Sequence, residues 1–327
     1  MGLGPAVSRR DARVARVALT GVVRPRRTLC PPADADTLTK CPHAKSLILA
    51  RFFQDLDRMS DSLVARVVVG RFRSESELAC DIRGLAYHAA LLAAFAALCA
   101  GLLPPWAFML LGVCLYIRNF NAIHEAVHAR PDPRNPLRRL RQLAMIVHGP
   151  LQLGRDQLAS DHRRHHAHPG DPQRDPHIAV HSAGWRSGLV DALFHSEFAA
   201  LQHIRRERAL HPGLRGALVY STAVSAALLA FAGADIVWWF AVTRFSSTAC
   251  WFIFDYMLHS DALWGRSGAL PLARPVQWLW VLMFGRDNLN ATRYHTLHHR
   301  FASVRDLDLP ALSQFLAERD AGALTPG

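Results

Sequence analysis

Lysine is almost missing from this chain. Of 38 basic residues, only Lys40 and Lys45 are lysine and the rest are arginine. Cysteine is sparse as well: Cys30, Cys41, Cys80, Cys99, Cys114 and Cys250 are scattered with no CxxC pair. That spacing excludes a disulfide framework and fits a reducing compartment. Charge is absent over long stretches. No Asp, Glu, Lys or Arg occurs from Gly84 through Ile117, and residues 216–243 hold one, Asp235. A membrane-spanning helix needs about 20 apolar residues, so these runs exclude a purely soluble chain, and equally a disordered or fibrous one. Helix-turn-helix patterns, zinc-finger spacings and basic patches interleaved with aromatics are missing too. The net charge of +12 therefore points to an anionic membrane surface and not to nucleic acid.

What is present is ordered along the chain. Residues 1–44 are rich in Arg, Pro and Asp and read as a disordered basic tail. No uninterrupted apolar stretch follows the first arginines, so a secretory signal is not expected. Residues 45–83 open with apolar and charged positions at helical spacing, which predicts an amphipathic interfacial helix. Residues 84–310 form the membrane domain, and 311–327 a C-terminal tail. The first apolar run divides at Pro104-Pro105 and the second at Gly233-Ala234-Asp235, giving spans near 84–103, 106–124, 216–233 and 235–257. Shorter stretches at 141–153 and 275–285 read as interfacial or re-entrant, with Trp278 and Trp280 suited to the interface. Basic residues cluster in 1–85, 129–215 and 255–327 and are missing from both hairpin tips. By the positive-inside tendency the termini and the 129–215 segment face the cytosol. The expected architecture is an all-α integral membrane protein, with four transmembrane helices in two hairpins and a cytosolic helical cap holding a histidine-rich metal site. The arginine bias suggests a GC-rich genome, hence a bacterial cytoplasmic (inner) membrane.

Eighteen histidines are present, and eight fall in three clusters. These are His124-Glu125-Ala126-Val127-His128, Asp161-His162-Arg163-Arg164-His165-His166 and Tyr294-His295-Thr296-Leu297-His298-His299. On a helix, positions i, i+3 and i+4 share a face, so each cluster is expected to aim its imidazoles at one point. Neutral imidazole ligates Fe, Zn, Cu or Ni. Eight ligands are too many for one tetrahedral zinc, and divided between two metals they leave positions open for dioxygen.

HEAVH, HRRHH and HTLHH resemble the three histidine boxes of the membrane fatty-acid desaturase/hydroxylase superfamily. The Asp171-Pro172, Asp175-Pro176 and Leu309-Pro310 elements are similar to those of many bacterial members. The resemblance implies four transmembrane helices, a cytosolic cap and a di-iron centre using O2, with His124, His128, His162, His165, His166, His295, His298 and His299 as ligands. It also places a ligand at the cytosolic end of the fourth span, where His259 stands, with Asp255 one turn earlier as a partner acting through water. Asp161, Glu125, Asp171 and Asp175 are candidates to hold ligand N–H groups. The implied substrate is a fatty acyl chain drawn from membrane lipid surroundings, and desaturation leads hydroxylation and alkene-forming decarboxylation. A dinucleotide-binding GxGxxG is missing, so electrons must come from an external ferredoxin, rubredoxin or cytochrome with its reductase. The Arg-rich cytosolic face suits an acidic carrier.

Two rival readings use the same residues. His124-Glu125-xx-His128 is also HExxH, the pattern of zinc metalloproteases with Glu as general base, but that leaves six box histidines unexplained. A non-catalytic metal or lipid carrier explains the ligands but not the open positions. Arg244, inside the fourth span, is expected to pair with Asp235, to snorkel to the interface, or to meet a polar substrate end.

Overall fold

The computed structural model describes Phe72 and residues 75–129, 131–146, 154–207, 212–260, 263 and 269–320. The tail over 1–44 lies outside these residues, as does the amphipathic segment over 45–83 apart from Phe72 and residues 75–83, the last seven of which belong to the first helix. Among the described residues the chain is all-helical, without strands. We number its α-helices α1 (Glu77–Cys99), α2 (Pro105–His128), α3 (Arg138–Ile146), α4 (Arg155–Ala167), α5 (Trp185–Leu193), α6 (His195–Glu207), α7 (Pro212–Ala232), α8 (Ile236–Trp251), α9 (Arg274–Phe284), α10 (Arg286–Arg293), α11 (His295–Arg300) and α12 (Leu309–Asp320).

Among the described residues, three helical stretches are long and apolar enough to cross a membrane: Glu77–Cys99, Pro105–His128 and Arg215–Met257. The boundaries follow local chemistry. Ser76 caps α1 by accepting from the Ala79 N–H at 3.1 Å, and Glu77 sits in the first turn, where a negative charge meets the positive end of the helix dipole. The helix stops at Ala100, and Gly101 takes φ 70°, a conformation that glycine adopts without penalty. Pro105 then opens α2 at a position that needs no N–H donor. The two helices, joined by this short turn, pack against one another. The third stretch contains a break: α7 ends at a 3-10 turn, Gly233–Asp235, in which Gly233 has φ 55°, and α8 follows and continues as a π-helical turn, Phe252–Met257.

The packed interior of the spans is contributed by Leu91, Ala94, Phe95 and Leu98 of α1, Phe108 and Tyr116 of α2, and Trp239 and Val242 of α8. The Phe95 ring lies 5.6 Å from that of Phe108 and 5.2 Å from that of Trp239. Gly112 lets α2 and α8 close on one another, since a Cβ there would stand 2.9 Å from Val242 Cγ1. Lipid tails are as apolar as leucine, so such fit supplies cohesion between spans.

The shorter helices surround the His128 end of α2 and the end of α8. Leu297, Val304, Leu309, Leu312 and Leu316 form a second core that fixes α11 against α12. Residues 311–320, read from the sequence as part of a tail, thus lie in a packed helix. Of the two short apolar stretches, α9 covers the later one and exposes Val276, Trp278, Leu279 and Leu282. The earlier one is described only as far as Ile146, within α3.

Candidate metal centre

The histidine boxes ride on three different helices: the last turn of α2, the last turns of α4, and α11. All three converge, yet the grouping differs from the one-point-per-box expectation. His124, His128, His162, His166 and His298 bring one ligand atom each within 4.8 Å of one another. His165, His259 and His299 make a second such group. His295 flanks the second group, with its ring centroid 4.8 Å from that of His259 and 4.7 Å from that of His299. Helix geometry explains the division. Positions i and i+4 are offset by about 40°, whereas i+3 departs by about 60° in the other sense. In the second box the i, i+4 pair, His162 and His166, serves the first group and His165 the second. In the third box the i, i+4 pair, His295 and His299, belongs with the second group and His298 with the first. Each HxxHH element thus serves both groups, in opposite sense.

The nitrogen spacing suits an ion. His162 Nε2 lies 3.0 Å from His128 Nε2 and 3.0 Å from His166 Nε2, and His259 Nε2 lies 3.2 Å from His299 Nε2. One Nε2 carries either a proton or a lone pair, so these contacts use it poorly as a hydrogen-bonding atom. Imidazole nitrogens bound about 2.0–2.1 Å from a zinc ion, at right angles, would stand about 2.9 Å apart. The nine histidines are largely buried. Burial lowers the pKa of His162, His165, His166, His295 and His299 well below the usual imidazole range, with neighbouring imidazoles adding to the effect. Burial also lowers His259, to about 4. These six rings are therefore held neutral, the form that ligates metal.

Carboxylates orient the rings from outside. His165 Nδ1 donates to Asp175, at 3.0 and 2.9 Å to its two oxygens, and Asp175 is itself fixed by the Gly170 and His177 backbone N–H groups. Asp306 stands 3.3 Å from His298 Nδ1 and 3.7 Å from His124 Nδ1. Burial would raise the pKa of Asp306, but these two imidazoles outweigh it and hold the carboxyl well below the usual range. His259 Nδ1 donates to the Phe254 carbonyl at 2.8 Å, a group presented by the π-helical turn. Such outer contacts fix the tautomer and leave Nε2 for a metal.

Two carboxylates singled out from the sequence have other partners. Asp161 accepts from the Gln157 amide at 3.1 Å. Glu125 accepts from Arg83, which also binds Glu75. Each follows or precedes a box histidine by one residue, and one residue is about 100° around a helix, so both turn away. Asp171 accepts from the Gln173 and Arg174 backbone N–H groups of its own turn. Asp255 is buried, and its Oδ1 accepts from His177 Nδ1 at 3.1 Å. It lines a small cavity of about 20 Å³ with Phe120, Trp251, Phe254, His124 and His165, room for about one water. His177 and Asp306 escaped sequence reading. His177 sits beside Asp175-Pro176 but in no box spacing, and Asp306 has no periodic relation to the histidines it holds.

Apolar helices able to cross a membrane, ending in two adjoining groups of imidazoles that could hold metal, define a class: histidine-rich proteins with membrane-spanning-capable helices. Within that class the family can be given. The model of the fatty acid desaturase family matches residues 100–325, and the chain belongs to that family. No curated protein and no solved structure matches it. Family membership makes the protein an oxidoreductase by kinship, at home among membrane lipids and acyl chains.

Proposed function

We propose that this protein is an O2-dependent desaturase of fatty acyl chains. The observation that carries the reading is the assembly of eight imidazoles into two groups, with His295 beside the second, within a chain of the fatty acid desaturase family. His124, His128, His162, His166 and His298 would hold one iron, and His165, His259, His299 and His295 the other, with Asp255 acting through a water in the adjoining cavity. A bound iron pair would supply dioxygen activation, which no acid–base group can replace at an unactivated C–H bond. The chain's own residues do the rest. Asp175 and Asp306 keep the ligand rings in register, while Phe120, Trp251 and Phe254 keep the reacting position dry. Desaturation removes two hydrogens from the acyl chain and leaves dioxygen as two waters, so a pair of electrons must enter from an external ferredoxin, rubredoxin or cytochrome.

The proposed topology has four spans in two hairpins. A straight helix over the 43 residues Arg215–Met257 would run about 65 Å at 1.5 Å per residue, twice the apolar thickness of a bilayer. The break at Gly233 is where it would turn. Arginines at the open ends then put the metal centre on the cytosolic side of a bacterial inner membrane.

Gas chromatography–mass spectrometry of fatty-acid esters and headspace volatiles, from a bacterial host supplied with a reductant, tests the reading. Wild type is expected to yield a new unsaturated acid, and His298→Ala none. A hydroxy acid or a terminal alkene, lost in the variant, would keep the centre and move the reaction. Against the protease reading stands Glu125, bound to Arg83 on the side away from the histidines.

A further inference from the structure

The segment 129–215 carries fourteen arginines and was assigned from charge to the cytosol, yet part of it packs far down the side of α8. Gly188 of α5 lies against the Tyr256 ring, where a Cβ would stand 2.4 Å from Cδ2. At the other end of α5, Arg244 of α8 donates to the Leu193 carbonyl at 2.6 Å and pairs with Glu197 of α6. Between them the His195 ring stacks on Trp251 at 3.6 Å. Trp251 precedes the end of the span at Met257 by six residues, about 9 Å along the axis. The α5–α6 junction therefore sits inside the apolar layer by a depth typical of helices embedded at the acyl boundary, about 5–10 Å.

The side chains of α5 are distributed inside out. Its packed positions are Gly188 and Ala192, both small and buried, whereas Trp185, Leu189, Val190 and Phe194 are exposed. A helix facing water shows the reverse. Small residues toward the helix neighbour and large apolar ones outward is the arrangement of a helix in lipid. On α8, to which α5 is tied, Phe245 beside Arg244 is likewise 60% exposed. Arg186 lies over the Trp185 ring at 5.3 Å, a pairing of a charged head with an aromatic at headgroup level.

We propose that α5 and the first turn of α6 form a half-inserted membrane segment whose outward face, Trp185, Leu189, Val190 and Phe194, lies against lipid acyl chains beside the metal centre. The Arg244–Glu197 pair ties this segment to the span, which is how a charged residue is accommodated there; Asp235 is not its partner. The inference goes beyond the enzymatic reading, and its test does not depend on turnover.

The full-length protein is reconstituted in phosphatidylcholine–phosphatidylglycerol vesicles with a photoreactive diazirine amino acid at position 189 or 194. Position 174 in the Asp171 turn, with an exposed side chain, is the control. Irradiation is expected to give lipid adducts at 189 and 194, on acyl carbons by fragmentation, and only water adducts at 174. Headgroup-only or water adducts at 189 and 194, or cross-links to a second copy of the chain, would overturn the proposal. Both positions are exposed, monodisperse elution verifies each variant before reconstitution, and position 190 supplies a third site on the same face.

Discussion

At the scale of single residues, Asp306 has the widest reach, because one carboxylate serves histidines from two boxes, His124 on α2 and His298 on α11. Replacing an outer partner of a metal-bound histidine commonly costs 10–100-fold in metal affinity or activity. Asp306→Asn is therefore expected to lower metal affinity by about that factor while leaving helix content unchanged, read by metal titration of purified protein beside circular dichroism. Unchanged affinity would remove Asp306 from the supporting shell. Residue identity and spacing made the eight box histidines readable from the sequence, because i, i+3, i+4 periodicity is a local property, whereas His259 stands in no box and came only from the family resemblance. The outer shell was less legible. Asp161 and Glu125 stand next to box histidines in sequence, but neighbours on a helix point about 100° apart, whereas Asp306 and His177 reach the rings through the tertiary fold.

At the scale of elements, the span boundaries follow from short signals: Ser76, Pro104-Pro105 and Gly233 stand within a few residues of the observed ends. What the sequence did not disclose is which helices touch. Gly112 shows why, since nothing local marks it as the place where α2 meets Val242 of α8 at van der Waals distance. Gly112→Leu would overfill that contact, and overpacking costs about 1–3 kcal/mol. Thermal unfolding in detergent is expected to show a lowered midpoint, and Val242→Ala in the same chain to restore part of it. Equal midpoints for Gly112→Leu and wild type would mean that the helices separate without loss. The π-helical turn Phe252–Met257 was likewise invisible in the sequence, and it presents both Asp255 and the carbonyl that orients His259.

At the scale of the whole molecule, a metal held by the two histidine groups would act as a clasp between α2, α4, the end of α8 and α11. An ion that binds only the folded arrangement stabilises it by mass action. Removing metal with a strong chelator is expected to lower the unfolding midpoint and to speed proteolysis of the α9–α12 region, and added ferrous iron to restore both. A midpoint indifferent to chelation would mean that the second core, Leu297 through Leu316, holds that region unaided. The fold class was legible because apolar runs and charge asymmetry are properties of the entire chain, whereas the half-inserted α5 was hidden inside a segment whose arginines outvote it. The clasp also sets an order on biosynthesis. The first box leaves the ribosome with the first hairpin, but neither ligand group is complete until His298 and His299, near the end of the chain, have emerged. On the proposed reading the early spans would therefore enter the bilayer before either ligand set is complete, metal loading would follow the emergence of the third box, and a nascent chain arrested before His298 would lack a ligand of each group.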